Sequence, residues 1–78
     1  MAVLRMFGPA RVVAGTDRGN VEGATVADVL GEACDRYGPA FAEVVAKSRV
    51  WVNGAPASAE DPVGDADEVA VLPPVSGG

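Results

Sequence analysis

The stretch TVADVLGEACDRYGP, residues 25–39, is the strongest structural signal in this chain of 78 residues. Thr25 has the side chain of a helix N-cap, and Asp28 suits the first turn because a helix dipole stabilises carboxylates there. Apolar residues then recur at helical spacing on one face, namely Val26, Val29, Leu30, Ala33, Cys34 and Tyr37. Gly38-Pro39 ends the pattern. The sequence therefore predicts one amphipathic helix that must bury this face against another layer.

The residues before this helix predict two strands and a short helix. The segments are AVLRMF (residues 2–7) for the first strand, ARVVAG (10–15) for the short helix, TDRGN (16–20) for a loop and NVEGA (20–24) for the second strand. Pro9 fits the first position of a helix, because proline lacks the N–H that would be unpaired there, and Gly15 fits its end.

The residues after the main helix predict a further helix and three strands. The segments are AFAEVVAK (40–47) for a helix, RVWVNGAP (49–56) for a hairpin, SAEDPVGDAD (58–67) for a polar turn region and EVAVLP (68–73) for the last strand. Asn53-Gly54 tolerates the positive φ that a two-residue hairpin turn requires. In the last strand, Val69 and Val71 should face one side and Ala70 and Leu72 the other.

This order of elements predicts an α+β protein with a single domain. Strand, strand, helix, strand, strand is the order of the β-grasp, or ubiquitin-like, roll. We expect a mixed sheet of four to five strands packed on one main helix, with residues 1–72 as the β-grasp domain and residues 73–78 as a flexible Gly-Gly tail. Periodicity supports the class, whereas the specific topology rests in part on the resemblance described below.

Composition excludes several classes of function. Six Lys and Arg against eleven Asp and Glu give a net charge of −5, and the basic residues are scattered along the sequence, so we expect no nucleic-acid partner. Cys34 is the only cysteine and histidine is absent, so an internal disulfide, a Cys/His zinc site and a Ser/His or Cys/His dyad are all excluded. No segment approaches the ~18–20 apolar residues of a membrane span. The expectation is a cytoplasmic protein without a membrane partner.

The last six residues, PPVSGG, have a chemistry of their own. Pro73 and Pro74 lack a backbone N–H and cannot continue a strand. Fully extended at ~3.3 Å per residue, six residues reach roughly 20 Å, enough to carry a carboxylate into another protein. Gly77 and Gly78 have no Cβ and fit a narrow tunnel. A free carboxylate needs activation, for example as a mixed anhydride with AMP, and the chain has no G-x-x-x-x-G-K-[S/T] phosphate loop. A partner must therefore supply the ATP chemistry.

VNGAPASAEDPVGDADEVAVLPPVSGG (residues 52–78), together with MFGPARVVAG (6–15), resembles the MoaD/ThiS family of ubiquitin-like sulfur carriers, which includes the small subunit of molybdopterin synthase. The resemblance covers nearly the whole chain. Its most specific part is the fixed order of acidic turn, hydrophobic strand, Pro-Pro and Gly-Gly. The family often has Asp-Gly-Asp-Glu before the last strand, where this chain has Asp65-Ala66-Asp67-Glu68. Alanine is a poor residue for positive φ, so we expect a differently shaped turn there.

The resemblance implies roles for particular residues. Gly78 would carry the adenylate and then the thiocarboxylate, and Gly77 would give it steric clearance. Phe7 and Leu72 match apolar positions at which the family's small subunit docks on its catalytic large subunit, and Arg11 matches a recurring arginine. The inserted tail would consist of Pro73, Pro74, Val75 and Ser76.

The resemblance also implies a reaction and its partners. Two carriers in turn would each donate one sulfur to a pyranopterin precursor on the large subunit, forming the dithiolene of the molybdenum cofactor. The implied partners are the molybdopterin synthase large subunit, a ubiquitin-activating-type adenylating enzyme that uses ATP, and a persulfide sulfur donor. The chain itself would bind no cofactor or metal and would not be an enzyme on its own.

Other interpretations stay open at this point. The chain could deliver sulfur to thiamin or another metabolite, could be a modifier joined through Gly78 to lysines of target proteins, or could be an interaction domain with an inert tail. Cys34 is interpreted as a buried structural residue. Trp51 is expected to pack in the core, with partner docking as the alternative. The acidic residues Glu60, Asp61, Asp65, Asp67 and Glu68 are interpreted as a solvated turn, because their spacing is not that of a calcium loop.

Overall fold

The computed structural model describes residues 1–74, which form a mixed sheet with helices on one side. The elements are β1 (Ala2–Met6), α1 (Gly8–Ala14), β2 (Arg18–Val21), α2 (Val26–Tyr37), α3 (Pro39–Ala46), β3 (Arg49–Val52), β4 (Ala55–Pro56) and β5 (Glu68–Leu72). The strand order across the sheet is β2-β1-β5-β3-β4. β1 and β5 are parallel neighbours at its centre, and the other pairs are antiparallel. This is the β-grasp arrangement that the sequence predicts.

The core lies between α2, α3 and one face of the sheet. Alternate residues of the central strands point inward, so Leu4 and Met6 of β1 pack beside Val69 and Val71 of β5, and all four are almost fully buried. Phe41 of α3 is the largest fully buried side chain. The remaining buried apolar residues are Ala2, Ala10, Val21, Val26, Val29, Ala33 and Val63. The predicted facing of the last strand is confirmed.

The main helix begins and ends where its sequence indicates. The Thr25 side chain accepts a hydrogen bond from the Asp28 backbone N–H at 3.2 Å, and the Asp28 carboxylate accepts one from the Ala24 N–H at 3.2 Å. At the other end, the Gly38 N–H donates to the Cys34 carbonyl at 2.9 Å, with Gly38 at φ +95°. These bonds satisfy backbone groups that a helix leaves unpaired at its ends.

The hairpin turn is also confirmed. Asn53 and Gly54 both have positive φ, at 50° and 83°, as a two-residue turn between antiparallel strands requires. The Asn53 side chain adds two bonds to the start of β5, because its amide donates to Asp67 at 3.1 Å and its carbonyl accepts from the Glu68 N–H at 2.9 Å. The turn is therefore joined to the strand that leads to the C-terminus.

The second strand begins two residues earlier, and ends three residues earlier, than the sequence predicts. β2 contains Arg18 and Gly19, for which the sequence predicts a loop, while residues 22–24, for which it predicts strand, lead into the helix cap. Tertiary contacts pack closely on this strand, since a Cβ on Gly19 would lie 2.6 Å from the Tyr37 hydroxyl oxygen. Arg36 of α2 also donates to the Asn20 carbonyl at 2.9 Å. The C-terminal turn of α2 thereby covers part of this edge strand.

Candidate functional site

The C-terminal tail leaves the domain from the middle of the sheet. β5 lies between β1 and β3 and ends at Leu72. Pro73 is half-buried and Pro74 is exposed, and neither can donate a ladder hydrogen bond. The two prolines line a shallow, mainly apolar cleft of about 130 Å³ with Pro9, Val44 and Lys47. The chain therefore leaves the sheet between the start of α1 and the end of α3.

Phe7 and Leu72 lie beside each other at this exit. Met6 pairs with Val71 in the parallel ladder, so the next residues on each strand, Phe7 and Leu72, follow in the same register. Phe7 is 41% exposed, and the Arg5 guanidinium lies 5.6 Å from its ring centroid. Leu72 is half-buried. Two of the apolar residues that the sequence singled out for docking are thus brought together where the tail begins.

The other predicted site residues are Val75, Ser76, Gly77 and Gly78, which lie outside the described residues. Their roles therefore stay predictions. The part of the site that the structure describes is the exit itself: Phe7, Leu72, Pro73 and Pro74.

The short helix α1 adds exposed apolar surface that the sequence interpretation missed. Val12 is 78% exposed and Val13 is 36% exposed, and within α1 only Ala10 is buried. The sequence signal is the shortness of this helix, whose seven residues offer only one narrow face for burial. Gly15, at φ +74°, ends the helix as predicted, and its N–H donates to the Arg11 carbonyl at 3.0 Å.

The interpretation of Trp51 as a core residue is wrong. Val50 and Val52 pack against the core, whereas Trp51 points to the helix-free side of the sheet and is half-buried there. It lies opposite Ala70 of β5 and Pro56 of β4. The helices cover only one face, so the alternating strand β3 must present its middle residue on the other face.

Cys34 is a structural residue of α2. Its side chain is half-buried and packs against the core. Burial raises the pKa of the Cys34 thiol, and the neighbouring Asp35 carboxylate raises it further. The thiol is therefore protonated near neutral pH and is a weak nucleophile. This agrees with its interpretation as a small buried hydrophobe.

The acidic turn before β5 is held by its own hydrogen bonds. The Asp67 carboxylate accepts from the Gly64 N–H at 2.8 Å and from the Asn53 amide at 3.1 Å, and these bonds lower the pKa of Asp67. Asp65 forms an ion pair with the Met1 amine, which lowers the pKa of Asp65. Within residues 1–74, no group of three or more His, Cys, Asp or Glu side chains is arranged to hold a metal ion.

The expectation of a differently shaped turn at Ala66 is wrong. Ala66 has φ +70°, the left-handed conformation that glycine would favour. Its N–H donates to the Met1 carbonyl at 3.3 Å, and the next N–H, from Asp67, donates to Gly64 at 3.1 Å. These bonds hold the conformation against a cost of about 1–2 kcal/mol for a residue with a Cβ.

The fold and the tail exit define the class: this is a ubiquitin-like β-grasp protein whose C-terminal segment follows a central strand. The chain belongs to the ThiS family of the ubiquitin-like sulfur-carrier group, because the sequence model of the ThiS family matches residues 4–78. No curated protein sequence matches this chain. Among the helices within the described residues, none is long and apolar enough to cross a membrane.

The chain is similar to several solved structures, three of which follow. It is 32% identical to SAMP1 from Haloferax volcanii, covering 99% of this chain and 98% of that one, with a TM-score of 0.83. It is also 32% identical to a putative molybdopterin converting factor subunit 1 from Pyrococcus furiosus, with coverages of 95% and 97% and a TM-score of 0.83. A complex of subunits 1 and 2 of molybdopterin-converting factor from Helicobacter pylori contains a chain of the same fold, at 20% identity, coverages of 99% and 97%, and a TM-score of 0.70.

Proposed function

We propose that this protein is a sulfur carrier of molybdenum cofactor biosynthesis and that Gly78 is its reactive residue. The observation that carries the proposal is the arrangement of the exit, where exposed Phe7 and half-buried Leu72 flank the point at which the chain leaves the sheet. Docking contacts made there would hold the tail in place beside a partner's active site. The likeness to the subunit 1 protein of Pyrococcus furiosus supports this pathway, and the Helicobacter pylori complex supports a second subunit as partner.

The proposed chemistry takes place at the terminal carboxylate. An adenylating enzyme joins the Gly78 carboxylate to AMP and releases pyrophosphate from ATP. The outer sulfur of a donor persulfide displaces AMP, and cleavage of the S–S bond by a thiol leaves a thiocarboxylate. In the large subunit this sulfur forms a C–S bond to the pterin precursor, and hydrolysis returns Gly78 to a carboxylate for another cycle.

Catalysis in this scheme belongs to the partners. The chain contains no histidine, and the raised pKa of Cys34 makes its thiol a weak nucleophile. The protein therefore acts as a substrate and carrier, and the ATP is bound by the adenylating enzyme. We place the protein in the cytoplasm, where ATP and the pterin precursor would both be available.

Mass spectrometry tests the proposal directly. The purified protein is incubated with ATP, the adenylating enzyme and a persulfide donor from the same genome. We expect a mass gain equal to the replacement of one oxygen by sulfur, located at Gly78. Deletion of Gly78 should abolish the gain without changing the thermal unfolding midpoint, and Cys34→Ala, the matched control, should leave the gain intact. Sulfur found on Cys34 instead, or normal sulfuration after the deletion, would refute the proposal.

A second candidate function is protein modification, favoured by the 32% identity to SAMP1, a protein described as a small archaeal modifier. In that case the activated Gly78 carbonyl would form an isopeptide bond with a lysine of another protein and release AMP. Tryptic digestion of proteins from cells that express the tagged chain separates the two functions. Peptides with a lysine joined to the C-terminal residues of this chain would favour the modifier.

A further inference from the structure

Lys47 is the single lysine of the chain, and it lies beside the tail exit. It directly follows α3, and its backbone N–H donates to the Val44 carbonyl at 3.1 Å, which fixes its position at the end of the helix. Its side chain lines the same cleft as Pro73 and Pro74, the last residues that the structure describes. The one lysine amine is therefore carried at the base of the segment that ends in Gly78.

The Lys47 amine has no competing partner in the domain. The residue is exposed, and it forms no ion pair with any carboxylate that the structure describes. Its neighbours along the cleft, Pro9, Val44, Pro73 and Pro74, are apolar and offer no side-chain acceptor for an ammonium group. A lysine in such a place keeps its charged end in water. The amine is therefore free to approach a group that is brought to it.

The other amine of the chain lies at the opposite end of β5. The Met1 amine pairs with Asp65, in the loop before that strand. β5 has five residues and spans about 13 Å at ~3.3 Å per residue, and the tail leaves from its far end. The other basic residues are arginines, whose guanidinium group stays charged and is not a nucleophile. Lys47 is thus the nucleophilic amine nearest to the tail.

The tail is long enough to bring Gly78 to Lys47. Four residues follow Pro74, and fully extended at ~3.3 Å each they reach roughly 13 Å. Because Lys47 and Pro74 line the same cleft, a shorter, bent path is sufficient, and glycine at positions 77 and 78 permits a bend. The same reach falls short of the Met1 amine, because the tail would have to run back along the whole of β5.

We propose that Lys47 is an acceptor for the activated C-terminus of its own chain and forms an internal isopeptide bond to Gly78. This inference rests on the proposed function, because it requires the Gly78 carbonyl that the adenylating enzyme activates. The Lys47 ammonium group first loses a proton to water, and the neutral amine attacks the carbonyl carbon of the acyl adenylate. A C–N bond forms, the bond from that carbon to the AMP oxygen breaks, AMP leaves as an anion, and the nitrogen gives up a second proton to water.

Tethering favours this reaction over attack by the lysines of other molecules. A reactive group on a short flexible linker has an effective concentration on the order of millimolar. At about 10 µM protein, reaction within one chain should therefore exceed reaction between two copies by about 100-fold. The product is a closed loop from Lys47 to Gly78 that has no free terminal carboxylate, so it can be neither adenylated nor sulfurated again.

The internal bond competes with sulfur transfer for the same carbonyl. While the activating enzyme holds the tail extended, Gly78 is kept away from Lys47, and release of the activated chain brings the two together. A persulfide that reaches the carbonyl first prevents the reaction. The closed form should therefore accumulate when the sulfur donor is limiting, and it removes carriers that have been activated without receiving sulfur.

The first experiment uses the chain of 78 residues with a Gly78 thioester, made by intein cleavage with a small thiol. The thioester supplies an activated carbonyl without any partner, and the thiol leaves in place of AMP. We expect a monomeric product lighter than the hydrolysed chain by one water. Its rate constant should be the same at about 1 µM and about 100 µM protein. Proteolysis after glutamate should release residues 44–60 joined through Lys47 to residues 69–78.

Two double variants of equal composition move the amine to a near or a distant position. Lys47→Arg removes the amine, keeps the charge and should abolish the product. In K47R/E43K the lysine lies one helical turn earlier on the same face of α3. In K47R/E22K it lies beside Met1 and Asp65, at the opposite end of β5. We expect K47R/E43K to form the closed product about tenfold faster or more, because effective concentration falls to near zero where a linker cannot span the sites.

The second experiment adds the adenylating enzyme from the same genome and ATP, without a sulfur donor. Hydroxylamine in a parallel reaction traps the activated Gly78 carbonyl as a hydroxamate. We expect the hydroxamate in the parallel reaction and the closed product in its absence. A hydroxamate without the closed product would show that the enzyme protects the adenylate and would overturn the inference. Loss of the hydroxamate in Lys47→Arg would make Lys47 a contact of the enzyme and would also overturn it.

The two experiments separate failure of the inference from failure of the proposed function. If the thioester only hydrolyses, or if K47R/E22K reacts as fast as K47R/E43K, the inference fails and the proposed function stands. If the rate rises with protein concentration and the product is a dimer, Lys47 reacts between copies and the inference is wrong. If the enzyme forms no hydroxamate with the wild-type chain, the proposed function fails and the inference loses its activated carbonyl, whatever the thioester does.

Discussion

Replacing Gly23 by alanine should destabilise this protein, although Gly23 lies in an exposed loop. A Cβ at this position would lie 2.7 Å from the Val29 backbone nitrogen, 2.8 Å from Val29 Cγ2 and 2.9 Å from Asp28 Cβ. None of these atoms is the far end of a flexible side chain, and Val29 is fully buried. The loop must therefore move away from the first turn of α2. Overpacking of this kind costs about 1–3 kcal/mol.

Gly31→Ala is the matched substitution with the opposite expected sign. Gly31 lies in the middle of α2, and apart from the helix's own backbone a Cβ there would meet nothing within 4 Å. Alanine in a helix interior is more stable than glycine by about 0.8–1.0 kcal/mol. The two variants make the same chemical change and reduce the entropy of the unfolded chain in the same way. Any difference between them therefore reports on the folded environment.

Urea unfolding followed by Trp51 fluorescence and circular dichroism measures both variants. We expect the free energy of unfolding of Gly23→Ala to lie about 2–4 kcal/mol below that of Gly31→Ala. In a domain of this size each 1 kcal/mol corresponds to a shift of about 4–8 °C in Tm. If Gly23→Ala is as stable as wild type, or if both variants shift in the same direction, the close approach of this loop to α2 is not as described.

Three further predictions concern single contacts. Gly19→Ala should destabilise the protein less than Gly23→Ala, because its Cβ would meet the Tyr37 hydroxyl oxygen, the outer end of a side chain that can move away, and a double-mutant cycle with Tyr37→Phe should recover that loss. Ala66→Gly should raise the free energy of unfolding by about 0.5–1 kcal/mol, since relief of the positive φ exceeds the entropy cost of glycine. The lowered pKa of Asp67 stabilises the fold above about pH 4, and this contribution should be lost as the pH falls through the folded pKa. Asp67→Asn should weaken that acid dependence in a pH series of thermal unfolding curves, and an unchanged acid limb would contradict it.

The elements that could be predicted from the sequence are those with local signals. The main helix has a cap at Thr25 and a stop at Gly38, and the hairpin has Asn53-Gly54, so each can be located from its neighbours in sequence. The second strand could not be located in this way. Gly19 resembles a loop residue until the Tyr37 hydroxyl, which occupies the space of its missing side chain, is known.

For the candidate site as well, the sequence predicts local features, whereas the contacts between distant residues become known only from the structure. Phe7 and Leu72 were singled out by resemblance, but their proximity follows from the parallel pairing of β1 with β5, strands from opposite ends of the sequence. The position of Trp51 depends on which face of the sheet the helices cover, and alternation within β3 cannot decide that. The conformation at Ala66 was missed because its hydrogen bond to Met1 is likewise non-local.

The central position of β5 also determines how the domain responds to mechanical force. A partner that grips the tail and pulls along the strand loads the ladders to β1 and β3 at the same time. In this shear geometry the hydrogen bonds on both sides must break nearly together, whereas a pull at right angles to an edge strand would open them one after another. A pull on the C-terminus should therefore meet more resistance to unfolding than it would if the last strand lay at an edge of the sheet.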